Sequence, residues 1–340
     1  MDISTNINAA SEQDITPKKA NKKAAILGRK LLLLLLLSLL ACGLYIFLNI
    51  NMKYFDYALK IRGKKLAAMV LTAFCIGSAS IVFQSVINNT IVTPCLLGMN
   101  SLYTLIHTAV VFFLGSSNIL VTNTYLSYMI DLVLMGVIST YIYSYLFKKT
   151  NHNVLYVLLI GTILSTFFSS MQSSMTRIMD PNEYDTLLTT LVASFSNINT
   201  EIIFLSFVLM IVVAFVFRKD LALLDVITLG KNQAINLGVD YDRTIRHLLL
   251  AVTLYISIAT AMVGPISFLG LIIANVSRQL FSTYRHTWLI AGSAFIGVIV
   301  LVFGQLISEQ IFHYSVPVSI FITVGGGLYF LYLLLAERKR

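Results

Sequence analysis

The sequence predicts an all-α fold, a polytopic membrane protein of about ten transmembrane helices. Hydrophobic residues make up 57% of the 340 and charged residues only 11%, where a soluble domain carries about 25% charged. The mean hydropathy is +0.84. The apolar runs are long and continuous, whereas the strands of a membrane barrel alternate apolar and polar.

The elements follow in order. Residues 1–29 are too polar to bury a core and read as a disordered cytosolic tail. Lys18 to Lys30 followed by Leu31–Leu37 resembles a signal peptide. The apolar run continues past Cys42 to Leu48, however, long enough to span, so residues 30–50 read as the first transmembrane helix. Further spans are predicted at 66–87, 96–115, 124–147, 154–175, 199–217, 246–264, 266–281, 288–308 and 317–336. Residues 30–340 thus form one transmembrane domain. The eighth span is short and flanked by Gly and Pro, which suits a broken helix lining a cavity. Between the fifth and sixth spans, Tyr184–Phe195 reads as an amphipathic interfacial helix.

Most of the 24 Lys and Arg residues fall on one side if the N-terminus is cytosolic, which the positive-inside rule favours. This one-sided distribution accounts for the net charge of +9 without nucleic acid as a partner. Apart from Arg177, the exceptions cluster at Lys53, Lys60, Arg62, Lys64 and Lys65 in one outer loop, Asn51–Lys65. Such a cluster either binds outer-leaflet phosphates or docks an acidic partner. Cys42, Cys75 and Cys95 lie in or beside apolar stretches without zinc spacing and read as packing residues.

Few ionisable groups fall within spans. Asp131 is either a pathway residue or pairs with an outer polar group. His107 reads as a satisfied buried histidine. Glu309 and His313 lack a third ligand for a metal. An ion-coupled carrier places ionisable groups at mid-membrane, and these are thin support for one. No GxxxxGK[ST] motif is present, so the chain itself cannot cradle ATP. A transporter without either must borrow its energy.

The place to receive it is a polar island, Arg218 to Arg246, too polar to span and too patterned for a slack linker. Asp220 is expected to cap a helix Leu221–Leu229 that Gly230 ends. A second helix, Gln233–Leu237, is expected to end at Gly238. Leu223, Leu224, Ile227, Leu229, Ala234, Ile235 and Leu237 form its apolar set, partly packing on the bundle and partly free to enter a groove on another protein.

Several motifs together resemble the permease subunits of bacterial ABC importers for iron–siderophore complexes, haem and vitamin B12, the FecCD/BtuC type. They are Leu229-Gly230 through Ala234 to Leu237-Gly238-Val239 with Arg243; Gly264-Pro265-Ile266-Ser267-Phe268-Leu269-Gly270-Leu271 with Arg278; Gln84, Asn88, Asn89, Pro94 and Leu97-Gly98; and Pro317-Val318 with Gly325–Gly327. The resemblance covers the chain from about Leu31 onward and implies a type II importer architecture. It implies that Leu224, Leu229, Gly230, Ala234, Leu237, Gly238 and Arg243 couple to cytosolic ATPases, which bind the ATP and Mg²⁺, so that this chain is no enzyme and binds no cofactor itself. It implies a second permease, in a homo- or heterodimer, and an external binding protein docking on Arg62, Lys64 and Lys65. It places Gln84, Asn88, Asn89, Pro94, Gly98, Gly264, Pro265, Ser267, Phe268 and Gly270 at the translocation pathway and gate. Asn89-Thr90-Ile91, Gly63-Lys64-Lys65 and Ala274-Asn275 depart from the family's Asn-Pro-Leu, Leu-Pro-Arg and Pro-His. Phe83-Gln84 and Asn100-Ser101-Leu102-Tyr103 look most like permeases for catecholate or petrobactin-type siderophores.

Overall fold

A computed structural model describes residues 17–49, 55–149, 154–196 and 198–337. The first part of the tail, residues 1–16, and the start of the basic loop, residues 51–54, lie outside them. Among the described residues the elements are α1 (Pro17–Phe47), α2 (Phe55–Ile87), a 3-10 turn (Pro94–Leu97), α3 (Met99–Leu114), α4 (Ile119–Thr122), α5 (Thr124–Lys149) and α6 (Val154–Ile178). There follow α7 (Pro181–Leu191), α8 (Thr200–Val216), α9 (Arg218–Ile227), α10 (Lys231–Asn236), α11 (Tyr241–Val263), α12 (Leu269–Phe281), α13 (His286–Gln310) and α14 (Val318–Glu337). Every predicted span has its helix, and the predicted segment Tyr184–Phe195 overlaps α7, which starts at Pro181 and ends at Leu191. The first helix begins at Pro17, so part of the stretch read as disordered tail is helical.

Six helices are each long and apolar enough to cross a membrane, and α8 with α9, bent by 57°, makes a seventh candidate. Helices α3, α12 and most of α14 are shorter apolar helices. Two of these begin at a break. The eighth span was expected from residue 266, but α12 starts only at Leu269, because Gly264–Phe268 is non-helical. The third span begins with the 3-10 turn that Pro94 opens, and α3 follows Gly98.

The centre is α2, whose inner half is almost wholly buried, with α11, α12 and α13 packed around it. Small residues permit the close approach. A Cβ at Gly270 would stand 2.0 Å from Ser80 Oγ of α2, and one at Gly297 would stand 2.9 Å from Ala73 Cβ. Close backbone approach through small residues is the usual solution where water supplies no driving force between helices. By contrast α1, α6, α8 and α14 expose rows of large apolar side chains, as helices facing lipid or another subunit do.

Helix α13 runs the height of the bundle, about 38 Å from its 25 residues at 1.5 Å each. Its N-terminus meets the polar island and its C-terminus meets the start of α2. These two ends define the island end and the far end.

Candidate functional site

The island folds as two short helices, α9 and α10. Their division into inward and outward faces is sharper than the pattern of the sequence. Leu224 and Ala234 are fully buried, with Ile227, so these two expected coupling residues anchor the island to the bundle rather than present themselves to a partner. Leu229, Ile235 and Leu237 are 52%, 51% and 62% exposed, and Gly230, Gly238 and Arg243 are exposed beside them. The α10 exit is a Schellman turn. Val239 N–H donates to Ala234 O and Gly238 N–H to Ile235 O, with Gly238 at φ 80°. Glycine is needed there for its left-handed backbone.

The expected cap is a correction. Asp220 lies inside α9, which starts at Arg218, and its carboxylate faces His247 Nδ1 of α11 at 3.3 Å. A second carboxylate makes the stronger tie. Asp225 Oδ1 accepts the backbone N–H of His286 at 3.0 Å and also contacts His286 Nδ1. Arg285, at the N-cap position of α13, makes no side-chain cap, so the island supplies that cap from a distance. A carboxylate at a helix N-terminus satisfies an orphan donor and complements the helix dipole. Movement of α9 therefore bears directly on α13.

The far end carries the basic loop, and here two of the three expected docking residues make contacts within the chain. Lys65 is 6% exposed. Its ammonium donates to Glu309 Oε1 at 2.9 Å and lies over the Tyr314 ring at 4.6 Å. Tyr45 and Gln305 donate to the same Glu309 oxygen, at 2.9 and 2.7 Å. The Lys65 ammonium is consumed by this cluster and is not presented outward. Arg62 donates from Nη1 to the carbonyls of Tyr45, Ile46 and Leu48, closing the C-terminus of α1, where a cation is favoured. Lys64 is half-buried and Lys60 exposed. Glu309 is the acceptor of the Lys65 cluster.

Midway between the ends, the two helix breaks meet. Asn100, two residues after Gly98, donates to Ser267 Oγ at 3.2 Å. Tyr143 OH donates to Leu97 O at 2.7 Å. Gly98, at φ 98°, lies against Ser165 of α6. Phe268 takes φ 61° and fits only because Gly326 of α14 has no side chain, since a Cβ there would stand 2.3 Å from Phe268 Cβ. Pro265 and the buried Gly264 complete the break. Gly264 has φ 90° and ψ 175°, a region essentially reserved for glycine, and its Cβ would fall 2.8 Å from Ala193 Cα. Gly264→Ala is expected to destabilise the protein by about 2–5 kcal/mol, combining backbone strain with overpacking. Thermal unfolding in detergent checks this against Gly43→Ala, where a Cβ meets open space within a helix.

Below the breaks, toward the island, Gln84 organises the α2–α3 connection. Its Nε2 donates to Thr90 O at 2.6 Å, and its Oε1 accepts from Arg278 Nε at 3.1 Å. Arg278 also donates to Ser85 Oγ, and Asn275 donates to Thr90 O at 3.0 Å. Two of the departures from the family pattern, Thr90 and Asn275, are thus partners, with a side-chain amide meeting a turn carbonyl. Asn88 takes φ 55° at the end of α2, and Asn89 Oδ1 accepts the Ile91 N–H.

Helix α6 carries a row of hydroxyls, Thr162, Thr166, Ser169, Ser170, Ser173 and Ser174, ending at Arg177. The row lines two open grooves of about 340 and 410 Å³. Its spacing of three and four residues marks one helix face and was available in the sequence. Ser101 of α3 joins it through Ser165 and Ser169, at 2.9 and 3.2 Å. Asp131 and His107 pair, with Oδ2 2.7 Å from Nδ1, both buried between α5 and α3. Among the described residues no cluster of three or more His, Cys, Asp or Glu could hold a metal.

The comparisons agree with this geometry. The chain is 41% identical over 310 residues, 91% of its length and 98% of the relative's, to the petrobactin import system permease protein YclO of Bacillus subtilis. It is 31% identical over 324 residues, 94% of its length and 92% of the relative's, to the petrobactin import system permease protein FatC of Bacillus anthracis. Its fold matches a solved ABC transporter assigned to the metal-chelate type, in an inward-facing conformation, at a TM-score of 0.78 and 21% identity, over 91% of this chain and 99% of that one. The FecCD transport family model matches residues 30–336, and the chain, a multi-pass membrane permease, belongs to that family.

Proposed function

We propose that this chain is the membrane subunit of an ATP-driven importer that passes ferric siderophore complexes, of the petrobactin class, into the cytoplasm. The observation that carries the reading is the island. It is a rigid two-helix element with three exposed apolar side chains, and a carboxylate on it caps the helix that runs the height of the bundle. A floppy loop would absorb a push, whereas Asp225 passes one to α13. Cytosolic ATPases bind Leu229, Ile235 and Leu237, hold the ATP and Mg²⁺, and carry out the hydrolysis. The N-terminus and the island lie in the cytosol, as the distribution of basic residues favours. A second permease, identical or different, faces the hydroxyl row of α6 across the pathway, and an external binding protein delivers the chelate to the far end. A wall of hydroxyls with few charges attracts a bulky charged chelate weakly and lets it pass.

The two petrobactin-import relatives support this substrate class over cobalamin or haem. The buried His107–Asp131 pair favours one other reading, an ion-coupled carrier acting alone. One pair of measurements tests both. In a strain lacking the gene, uptake of radioactive iron from ferric petrobactin should fall to background and return with the gene, while other siderophores are unaffected. In proteoliposomes, transport should require the partner ATPases and ATP. Unchanged petrobactin uptake in the deletion strain rejects the substrate, and gradient-driven transport without the ATPases rejects the mechanism.

A further inference from the structure

A groove on the outside of the bundle, between α5 and α11, has a cavity of about 740 Å³. It runs along α5 from Leu132 to Tyr145, about 20 Å at the helical rise per residue. The helices that form it share no element with the hydroxyl row of α6. Val133 and Val137 form one rim, Leu250 and Leu254 the other, and Gly136 leaves the floor low. The floor is dry in character. Thr140 donates to the Gly136 carbonyl at 2.6 Å and meets Thr253 at 3.3 Å, so its hydroxyl makes no demand on an occupant.

The island end of the groove has the opposite chemistry. Arg246 lines it and is exposed, with no ion-pair partner among the described residues. Lys149, one turn further along α5, donates from Nζ at 3.4 Å to the hydroxyl of Tyr145, which lines the same end. The neighbouring acids are engaged elsewhere, Asp242 with Lys231 and Asp220 with His247. Tyr141 and Tyr145 frame the same end, as aromatic residues do at the level of lipid headgroups. The site thus offers an apolar trough, longer than half of the roughly 30 Å hydrocarbon core, that ends in two uncompensated cations.

We propose that the α5–α11 groove is a binding site for one anionic phospholipid, with an acyl chain in the trough and the headgroup phosphate on Arg246 and Lys149. A free phosphate leaves the trough empty. A zwitterionic lipid brings its own cation to two others. Basic pockets between membrane helices select anionic headgroups for this reason.

The test is native mass spectrometry of the full chain in detergent, titrated with phosphatidylglycerol, phosphatidylcholine or inorganic phosphate. One phosphatidylglycerol should be retained per chain under conditions that strip phosphatidylcholine. Arg246→Gln and Lys149→Gln should each lower retention about fivefold, the effect of one basic residue near a lipid surface. Val137→Trp, at an exposed rim position, should fill the trough and abolish retention with the charges intact. Equal retention of both lipids, competition by inorganic phosphate, or indifference to Val137→Trp would each overturn the proposal. So would a lipid-free groove in which a cysteine at position 137 cross-links to a second copy of the chain.

Discussion

Glu309→Ala is expected to destabilise the protein by about 3–5 kcal/mol, the cost of breaking a buried ion pair by removing one partner. The Lys65 and Glu309 side chains are 8% and 3% exposed. Without the carboxylate, the ammonium keeps only the Tyr314 hydroxyl at 3.3 Å and the face of its ring, and Tyr45 and Gln305 both lose their acceptor. Each stranded donor adds a desolvation cost of about 1–3 kcal/mol unless water reaches it. The pair itself need not be net stabilising. Replacing both members with methionine removes the two buried charges together, and such exchanges are often neutral or stabilising by about 1–4 kcal/mol. Thermal unfolding of the wild type, Lys65→Met, Glu309→Met and the double variant in one detergent gives the coupling directly. If the double variant is as unstable as Glu309→Ala, the pair is not the unit described here.

That cluster also changes what the outer basic loop can do. Three of its cations were read as a docking patch, yet Arg62 closes α1 and Lys65 closes the joint between α1, α2 and α13. The residues left to meet an acidic partner, among those described, are Lys60 and Lys64. The positive charge at the far end is therefore partly architectural, locking the C-terminal end of α13 as Asp225 locks its N-terminal end.

What the sequence revealed, and what it concealed, follows the range of each interaction. Hydropathy is local, so every span found its helix, and Gly264-Pro265 announced a break that α12 respects. The island was legible from its polarity, and its Schellman exit from Gly238. Pairings across the chain were not legible. Lys65 and Glu309 are 244 residues apart, and nothing near Lys65 betrays that its charge is spent inside. Asp220 was misread for the same reason. A local rule offered it an N-cap, but α9 already starts at Arg218 and the carboxylate faces His247, 27 residues on. His107 and Asp131 were each noticed alone, and only the packing of α3 on α5 makes them one feature. The inward Leu224 and Ile227 are leucine and isoleucine like the outward Leu229, Ile235 and Leu237, so composition could not divide them.

Leu237→Asp is expected to abolish co-purification of the partner ATPases while leaving this chain folded. Leu237 is exposed at the C-cap of α10, and surface substitutions of this kind change stability within about 0.5 kcal/mol. In the proposed complex the same side chain would fill a groove on the ATPase. An interface anchor is worth about 2–4 kcal/mol, and a carboxylate forced into an apolar pocket adds its own desolvation cost. The affinity should fall at least about 100-fold, enough to lose the ATPase on a column. Leu237→Ala should fall between the two, since it loses only the buried area of one leucine, about 1.5–3 kcal/mol. Iron uptake should follow ATPase retention across the three proteins, with one common unfolding midpoint. Retained ATPase and normal uptake in Leu237→Asp would mean that energy enters elsewhere. A lowered midpoint would mean that Leu237 holds the island together rather than the complex. The first outcome removes the partner face and the second relocates it, so the single position separates the outward role of the island from its inward one.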